Sequence, residues 1–322
     1  MNKYVLHLLL IVAGINANAQ TNWVIVDSLY QPLPASMKVY KSTTPLNQKP
    51  FIAYAVVVNL QDKTLDFTAD TSYKRRLTPS QFFQKNQQPL VVVNTSFFSF
   101  TTHQNLNIVV KGGKLCAFQV HSIPGKSKDT LTWRHPIGSA LGISKSKKAD
   151  VAWVFTDSTA KYPVAIQTPI DPWKDSTAVF STSSFKKLLQ ERQVKSKTWK
   201  MQTAVGGGPV LVQNGKISVA NNQEMKFAGK AIDDKHPRTA MGYTADGKLI
   251  ILAIEGRHPG IAEGATLTET AQLLIELGCV EGLNLDGGGS TCLLVNGKNT
   301  ITPSDKEGER AVPGIFMVQK KN

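Results

Sequence analysis

Four short segments of this chain bring together residue types that could do chemistry. The richest runs from 282 to 291, where an apolar stretch ends in Asp286, three glycines follow (Gly287, Gly288, Gly289), and two hydroxyls close it, Ser290 and Thr291. A carboxylate delivered at the end of a strand can serve as a nucleophile or a base. An Asp-Gly turn is common on structural grounds alone. Three consecutive glycines, however, cost conformational entropy that a tight hairpin hardly requires, so a site outweighs a plain turn here. A second segment, 204–210, carries Gly206, Gly207 and Gly208 before Pro209. Successive N–H groups there can cradle an anion, although a strained link between strands explains the same glycines equally well. No Gly-Lys-Ser/Thr follows, and no GxGxxG precedes a helix, which excludes the common nucleotide loops.

The third segment pairs His236-Pro237-Arg238-Thr239 with Ile254-Glu255-Gly256-Arg257. A hairpin turning at Asp246-Gly247 would bring Arg238, Thr239, Glu255 and Arg257 to one open end. Two guanidiniums beside a carboxylate form either an exposed ion pair of little energetic weight or a bidentate phosphate clamp. The fourth, Asn94-Thr95-Ser96-Phe97-Phe98, is an apolar strand running into an amide, two hydroxyls and two aromatics. Phe97 and Phe98 could line a pocket for the apolar face of a sugar, but alone this segment reads first as a turn with two core rings.

Other chemistries fail on spacing. There is no H-E-x-x-H, no EF-hand loop and no G-x-S-x-G elbow. The histidines show no ligand spacing, so neither a metal nor any other cofactor is expected. Ser290 lacks a His partner, and no basic-aromatic RNA motif or helix-turn-helix points to nucleic acid.

The elements that must hold these groups are mostly strands. Val/Ile/Leu-rich runs at 52–60, 90–93, 106–111, 140–144, 151–155, 210–212, 249–254, 283–285, 293–295 and 315–318 predict short strands. Asn214-Gly215, Asp246-Gly247 and Asn296-Gly297 mark turns. Three helices stand out. Thr78-Pro79 opens one, 183–194 forms another, and Thr266 with Glu269 makes a capping box for a third that stops at Gly278. The expected fold is α+β: mixed, largely antiparallel twisted sheets with a few flanking helices, in a single domain.

The composition supports a large folded core and hides an uneven layout. Of 322 residues, 41% are hydrophobic and 19% charged, which excludes disorder. Residues 1–200 carry 25 Lys/Arg against 10 Asp/Glu, and the remainder 12 against 13. Of the 24 glycines, 18 lie between Gly206 and Gly314. Lys3, the run 5–14, apolar apart from His7, and Ala17-Asn18-Ala19 read as a signal peptide cut after Ala19, giving an exported protein, periplasmic or secreted. A ten-residue stretch is too short to span a bilayer, so no membrane span is expected. Cys116, Cys279 and Cys292 allow at most one disulfide, and buried free thiols are the plainer expectation. The chain thus divides into 1–19, the signal; 20–87, strands and a helix packing on the core; and 88–318, carrying the four segments.

Together the four segments resemble the phosphodiester glycosidase domain family. The resemblance rests on 94–98, 206–216 (GGGPVLVQNGK), PRTAMG at 237–242 with IEGR at 254–257, and 267–297 around DGGGST; 310–316 is similar only loosely. Thr95-Ser96 stands where that family usually has two glycines, and Glu255 where Asp is frequent. The resemblance implies hydrolysis of a sugar-1-phosphodiester at its anomeric carbon. A phosphate leaves as a stable anion, so the chemistry needs cations, N–H donors and a carboxylate more than a strong acid. Asp286 is then the nucleophile or base, and Glu255 assists with a proton, a water or positioning. Arg238, Arg257, Thr239 and the glycine turns hold the phosphate. Two rivals are a phosphodiesterase breaking P–O, and a non-catalytic module whose basic N-terminal part binds anionic polysaccharide.

Overall fold

The computed structural model describes residues 21–125 and 129–321. The expected signal segment, 1–19, lies outside them.

Among the described residues the fold consists of three large sheets, one small sheet and four helices. The eight-stranded sheet runs, in spatial order, Val24–Ile25, Met37–Ser42, Ala53–Asn59, Lys248–Ile254, Arg238–Thr244, Cys279–Asn284, Val210–Gln213 and Lys216–Ile217. The seven-stranded sheet centres on Ser139–Ile143 and Thr203–Gly206, with Val109–Lys111 next to the latter. The five-stranded sheet has the order Lys298–Asn299, Leu293–Val295, Val91–Asn94, Gly314–Lys320 and Leu65–Thr71. The three-stranded sheet joins Trp173–Asp175, Trp133–His135 and Ile123–Pro124. Strand pairing is antiparallel throughout the named strands, more uniformly than the mixed sheets expected.

The strands alternate as a two-residue period requires. Val91 and Val93 point into an apolar cluster that also holds Val56, Met241 and Leu283 of the eight-stranded sheet and Val109, Leu141 and Val205 of the seven-stranded one. Val92 points the other way, onto Phe82 of α1 (Pro79–Lys85). Both α1 and the longest C-terminal helix, α4 (Leu267–Glu276), carry the capping boxes their sequences announce, on Thr78 with Gln81 and Thr266 with Glu269. Ala271 and Leu274 of α4 cover Ala240, Ile250 and Leu252 on the outer face of the eight-stranded sheet. Between them in sequence lie α2 (Thr182–Glu191) and the single turn α3 (Asn221–Glu224). The expected helix 183–194 starts one residue earlier, capped by Ser181, and stops three residues sooner. The expected strand 283–285 instead begins at Cys279, directly after α4, and ends at Asn284. All three cysteines are free thiols; Cys279 and Cys292 are buried.

What positions the site is how the chain changes sheets. It leaves the eight-stranded sheet at Asn284 and enters the five-stranded sheet at Leu293, and the Asp-Gly-Gly-Gly segment is that crossing. It leaves the seven-stranded sheet at Gly206 and enters the eight-stranded one at Val210 through Gly207-Gly208-Pro209. A third crossing, from Asn94 to Val109, joins the five- and seven-stranded sheets.

Candidate active site at the meeting of three sheet crossings

Backbone hydrogen bonds tie the crossings to one another. Asp286 N donates to Thr95 O (2.7 Å), Leu285 N to Thr239 O (2.8 Å), and Gly288 N to Pro237 O (2.9 Å). Gly208 N donates to Asn284 O (2.7 Å), and Asn284 N to Pro209 O (2.9 Å). Asn94, fully buried, is the central knot. Its Nδ2 donates to the Asp286 carbonyl (2.6 Å), while its Oδ1 accepts from Thr239 Oγ1 (2.8 Å) and from Cys292 N (3.0 Å). One amide thereby joins its own strand to two segments far apart in sequence, the Arg238–Thr244 strand and the 285–292 crossing, each contact removing a buried polar group that would otherwise be unpaired.

Close packing explains the glycines. A Cβ on Gly207 would sit 2.5 Å from Asn284 O, and one on Gly287 2.7 Å from Pro237 O. Either would push two backbones apart. Gly208 has φ +118° and Gly288 φ +60°, conformations that L side chains rarely adopt. A Cβ on Gly288 would lie 2.9 Å from Nη2 of Arg257. Gly289 lies under the guanidinium of Arg310, which forms a bidentate pair with Asp305 at 2.8 and 2.9 Å.

Asp286 lies at the centre of these crossings. Burial pushes its carboxyl up to about 7, against the downward pull of the Ser290 hydroxyl, the Arg310 charge, the Gly287 amide and the Lys226 ammonium. The Ser290 hydroxyl is close enough to act on Asp286 without completing a well-formed hydrogen bond. Among the described residues the buried oxygens Thr95 Oγ1, Ser96 Oγ, Ser290 Oγ and Thr291 Oγ1 likewise have no partner, and nor has Asn284 Oδ1. Buried polar atoms are normally paired. Five unpaired oxygens on the 94–109 and 284–293 segments that meet at Asp286 leave hydrogen-bonding capacity unused there.

The two arginines expected to act alike are placed differently. Arg238 and Ile254 face each other across the hairpin, as the Asp246-Gly247 turn predicts. Arg238 is buried. Its Nε donates to Ala265 O (2.9 Å) and its Nη2 to Asp234 O (3.1 Å), with its guanidinium 5.6 Å from the Phe227 ring centroid. Burial and the neighbouring Arg257 charge lower it to about 10. Arg257 is exposed, has φ +64°, and makes no ion pair among the described residues. It is therefore the freer of the two to meet an anion, while Arg238 braces the wall.

Glu255 is buried, but its oxygens are engaged. Oε1 meets His258 Nδ1 at 3.0 Å, and Oε2 accepts from Thr302 N at 2.9 Å. Of the three roles expected for Glu255, these contacts favour positioning: they anchor both sides of the Arg257 turn. Phe97 and Phe98 part company. Phe97 packs edge-on against Phe227 (6.0 Å) beside the site, whereas Phe98 joins Phe82, Val92 and Leu294 in the core on the far side.

Three charged residues at the site are missed by sequence reasoning. Glu224, in α3, is buried and accepts from Ser139 N (3.2 Å), Ser139 Oγ (2.8 Å), Trp153 Nε1 (3.0 Å) and Val210 N (2.8 Å). Lys226 follows two residues later, and Arg310 arrives from the chain's last loop. The run 221–226 reads as a polar surface turn, so nothing local marks Glu224 or Lys226. Only the loose similarity of 310–316 touches Arg310.

The sequence profile of the phosphodiester glycosidase family matches residues 87–319. The bovine N-acetylglucosamine-1-phosphodiester alpha-N-acetylglucosaminidase is 31% identical over 103 residues, 30% of this chain and 19% of that protein. An uncharacterized SPbeta prophage-derived protein of Bacillus subtilis is 41% identical over 84 residues, 26% of this chain and 13% of the relative. The chain thus spans less than a quarter of the length of either relative. In solved structures the fold is similar to the zebrafish N-acetylglucosamine-1-phosphodiester alpha-N-acetylglucosaminidase catalytic domain. The TM-score is 0.60 at 16% identity, covering 94% of this chain and 89% of that one. A hypothetical protein from Synechocystis gives 0.59 at 15% identity, covering 89% and 62%. With well over half its length matched by the family profile, and with the glycine-rich crossings assembled around Asp286, the chain belongs to the phosphodiester glycosidase family.

Proposed function

We propose that this protein, after export, hydrolyses the anomeric C–O bond of a sugar-1-phosphodiester in envelope or external glycans. N-acetylglucosamine-1-phosphodiester, the substrate in the bovine relative's name, is the first to try. The observation that carries the reading is Asp286: a carboxylate raised toward neutrality on a glycine-rich crossing, acted on by Lys226 and Arg310, with exposed Arg257 over Gly288. A carboxylate serves the anomeric carbon, while cations and turn amides neutralise the departing phosphate. The C–O electron pair leaves with the phosphoryl oxygen, giving a phosphomonoester. The anomeric carbon gains oxygen from water, either directly with Asp286 as base or after a glycosyl-Asp286 ester. Glu255 holds His258 and the 302 backbone, and so the turn carrying Arg257.

Hydrolysis in ¹⁸O-water tests the bond broken. Label recovered in the free sugar is expected. Label recovered in the phosphate would overturn the reading in favour of P–O cleavage, and binding of acidic glycan with no released sugar would leave a non-catalytic module. Export is tested by N-terminal sequencing of the processed protein, expected to begin at Gln20.

A further inference from the structure

Lys226 is an ammonium with no hydrogen-bond acceptor among the described residues. Among the described residues it makes no ion pair and no side-chain hydrogen bond. Its neighbour Glu224 is already met by four donors from Ser139, Trp153 and Val210. Its Nζ instead stands 5.2 Å from the centroid of the Phe97 ring, a contact that holds a cation without neutralising it. The stem passes beneath the Gly207-Gly208 crossing: a Cβ on Gly208 would lie 2.7 Å from Lys226 Cε and would collide with the Glu224 carboxylate. Gly208 is thus the residue that lets Lys226 reach inward. Burial lowers its pKa below the ordinary lysine value, against the upward pull of Glu224 and Asp286. The ammonium and the Asp286 carboxylate therefore act on each other, while Arg310, which also acts on Asp286, is held in its pair with Asp305. A cation oriented by an aromatic face and a glycine cradle, with its hydrogen-bond donors unspent, is built to receive an anion.

We propose that Lys226 is a phosphoryl-oxygen ligand of this site, donating to the substrate phosphate next to Asp286. The proposal deepens the glycosidase reading by placing the phosphate against the Phe97 wall, and it rests on that reading only for the identity of the reaction. Acetylation of the intact wild-type protein with an amine-directed ester, read lysine by lysine by peptide mass spectrometry, tests it without turnover. Inorganic phosphate at millimolar concentration should slow labelling of Lys226 at least fivefold relative to chloride at equal ionic strength. Labelling of Lys186, exposed on α2, should not change. Equal labelling of Lys226 with and without phosphate overturns the proposal. Kinetics supply the second arm. Lys226→Met should raise KM for the sugar-1-phosphodiester about tenfold or more, Lys226→Arg should recover most of that loss, and Lys186→Met should do nothing. A fall in kcat at unchanged KM, with no rescue by arginine, would make Lys226 a structural residue. Protection by phosphate in a protein that turns over no sugar-1-phosphodiester would keep the ligand and discard the glycosidase reading. Turnover without protection would do the reverse.

Discussion

Asp286 carries the sharpest consequences. Its carboxyl is raised from 3.8 to about 7, first by burial. The ionised form must do the chemistry, so kcat/KM should climb as pH rises through about 7 and be largely lost below 6; a flat profile from 5 to 8 would contradict the assignment. The same shift has a stability sign. Between 3.8 and 7 the folded protein binds the proton that the unfolded chain releases. The contribution is therefore fully present below 3.8 and lost as pH rises through 7. Asp286→Asn should thus raise the melting temperature at pH 8, by relief on the order of a few kcal/mol, while lowering turnover about a thousandfold or more. Asn94 shows the opposite pattern. Asn94→Ala leaves the Asp286 carbonyl, Thr239 and Cys292 N without their partner, which should cost about 2–4 kcal/mol in denaturant unfolding and reduce turnover as well. Neither role of Asn94 was legible locally. An amide after three valines suggests a pocket wall, and only the register reveals a knot.

The crossings and the caps behave as distinct kinds of element. The capping box on α4 is legible because capping is settled within four residues. Thr266→Ala should remove about 1 kcal/mol of stability and leave turnover unchanged, as unfolding curves and a substrate assay would show. Gly287→Ala introduces a Cβ 2.7 Å from Pro237 O and must shift either the Asp286 backbone or the Arg238 strand. Turnover should fall at least a hundredfold with a modest loss of melting temperature; near-normal activity would show that this close approach is dispensable. The strands and their turns were readable from period-two runs ended by Asn-Gly and Asp-Gly. The sequence pattern marks only 283–285 of the strand Cys279–Asn284, because Glu281 and Gly282 interrupt its apolar run, although Gly282 packs under Leu274 and Tyr243 Oη donates to Glu281 at 2.6 Å.

Over the whole molecule, ionisation acts through burial more than through net charge. His121 sits against Phe155 (4.3 Å between centroids), and burial lowers its pKa below 6.5. The unfolded chain then takes up a proton that the folded one refuses, so this contribution is present above 6.5 and lost as pH falls. Melting of wild type should drop between pH 7 and 5 more than that of His121→Leu, opposite in sign to the Asp286 effect. The excess of positive charge before residue 201, by contrast, is spread among many exposed lysines. Amino-acid order alone was enough to establish strand and helix types, the caps, the hairpin that aligns Arg238 with Ile254, and the unusual run of glycines, because each depends on neighbours a few residues apart. Tertiary structure decided which groups meet. Asn94 reaches Asp286 across 192 positions, Lys226 arrives beneath a glycine in another crossing, Glu255 turns to His258, and Phe98 faces the far core. Those outcomes follow from how three sheets share one buried interior. That is a collective balance of burial and hydrogen bonding, to which no single segment commits the chain.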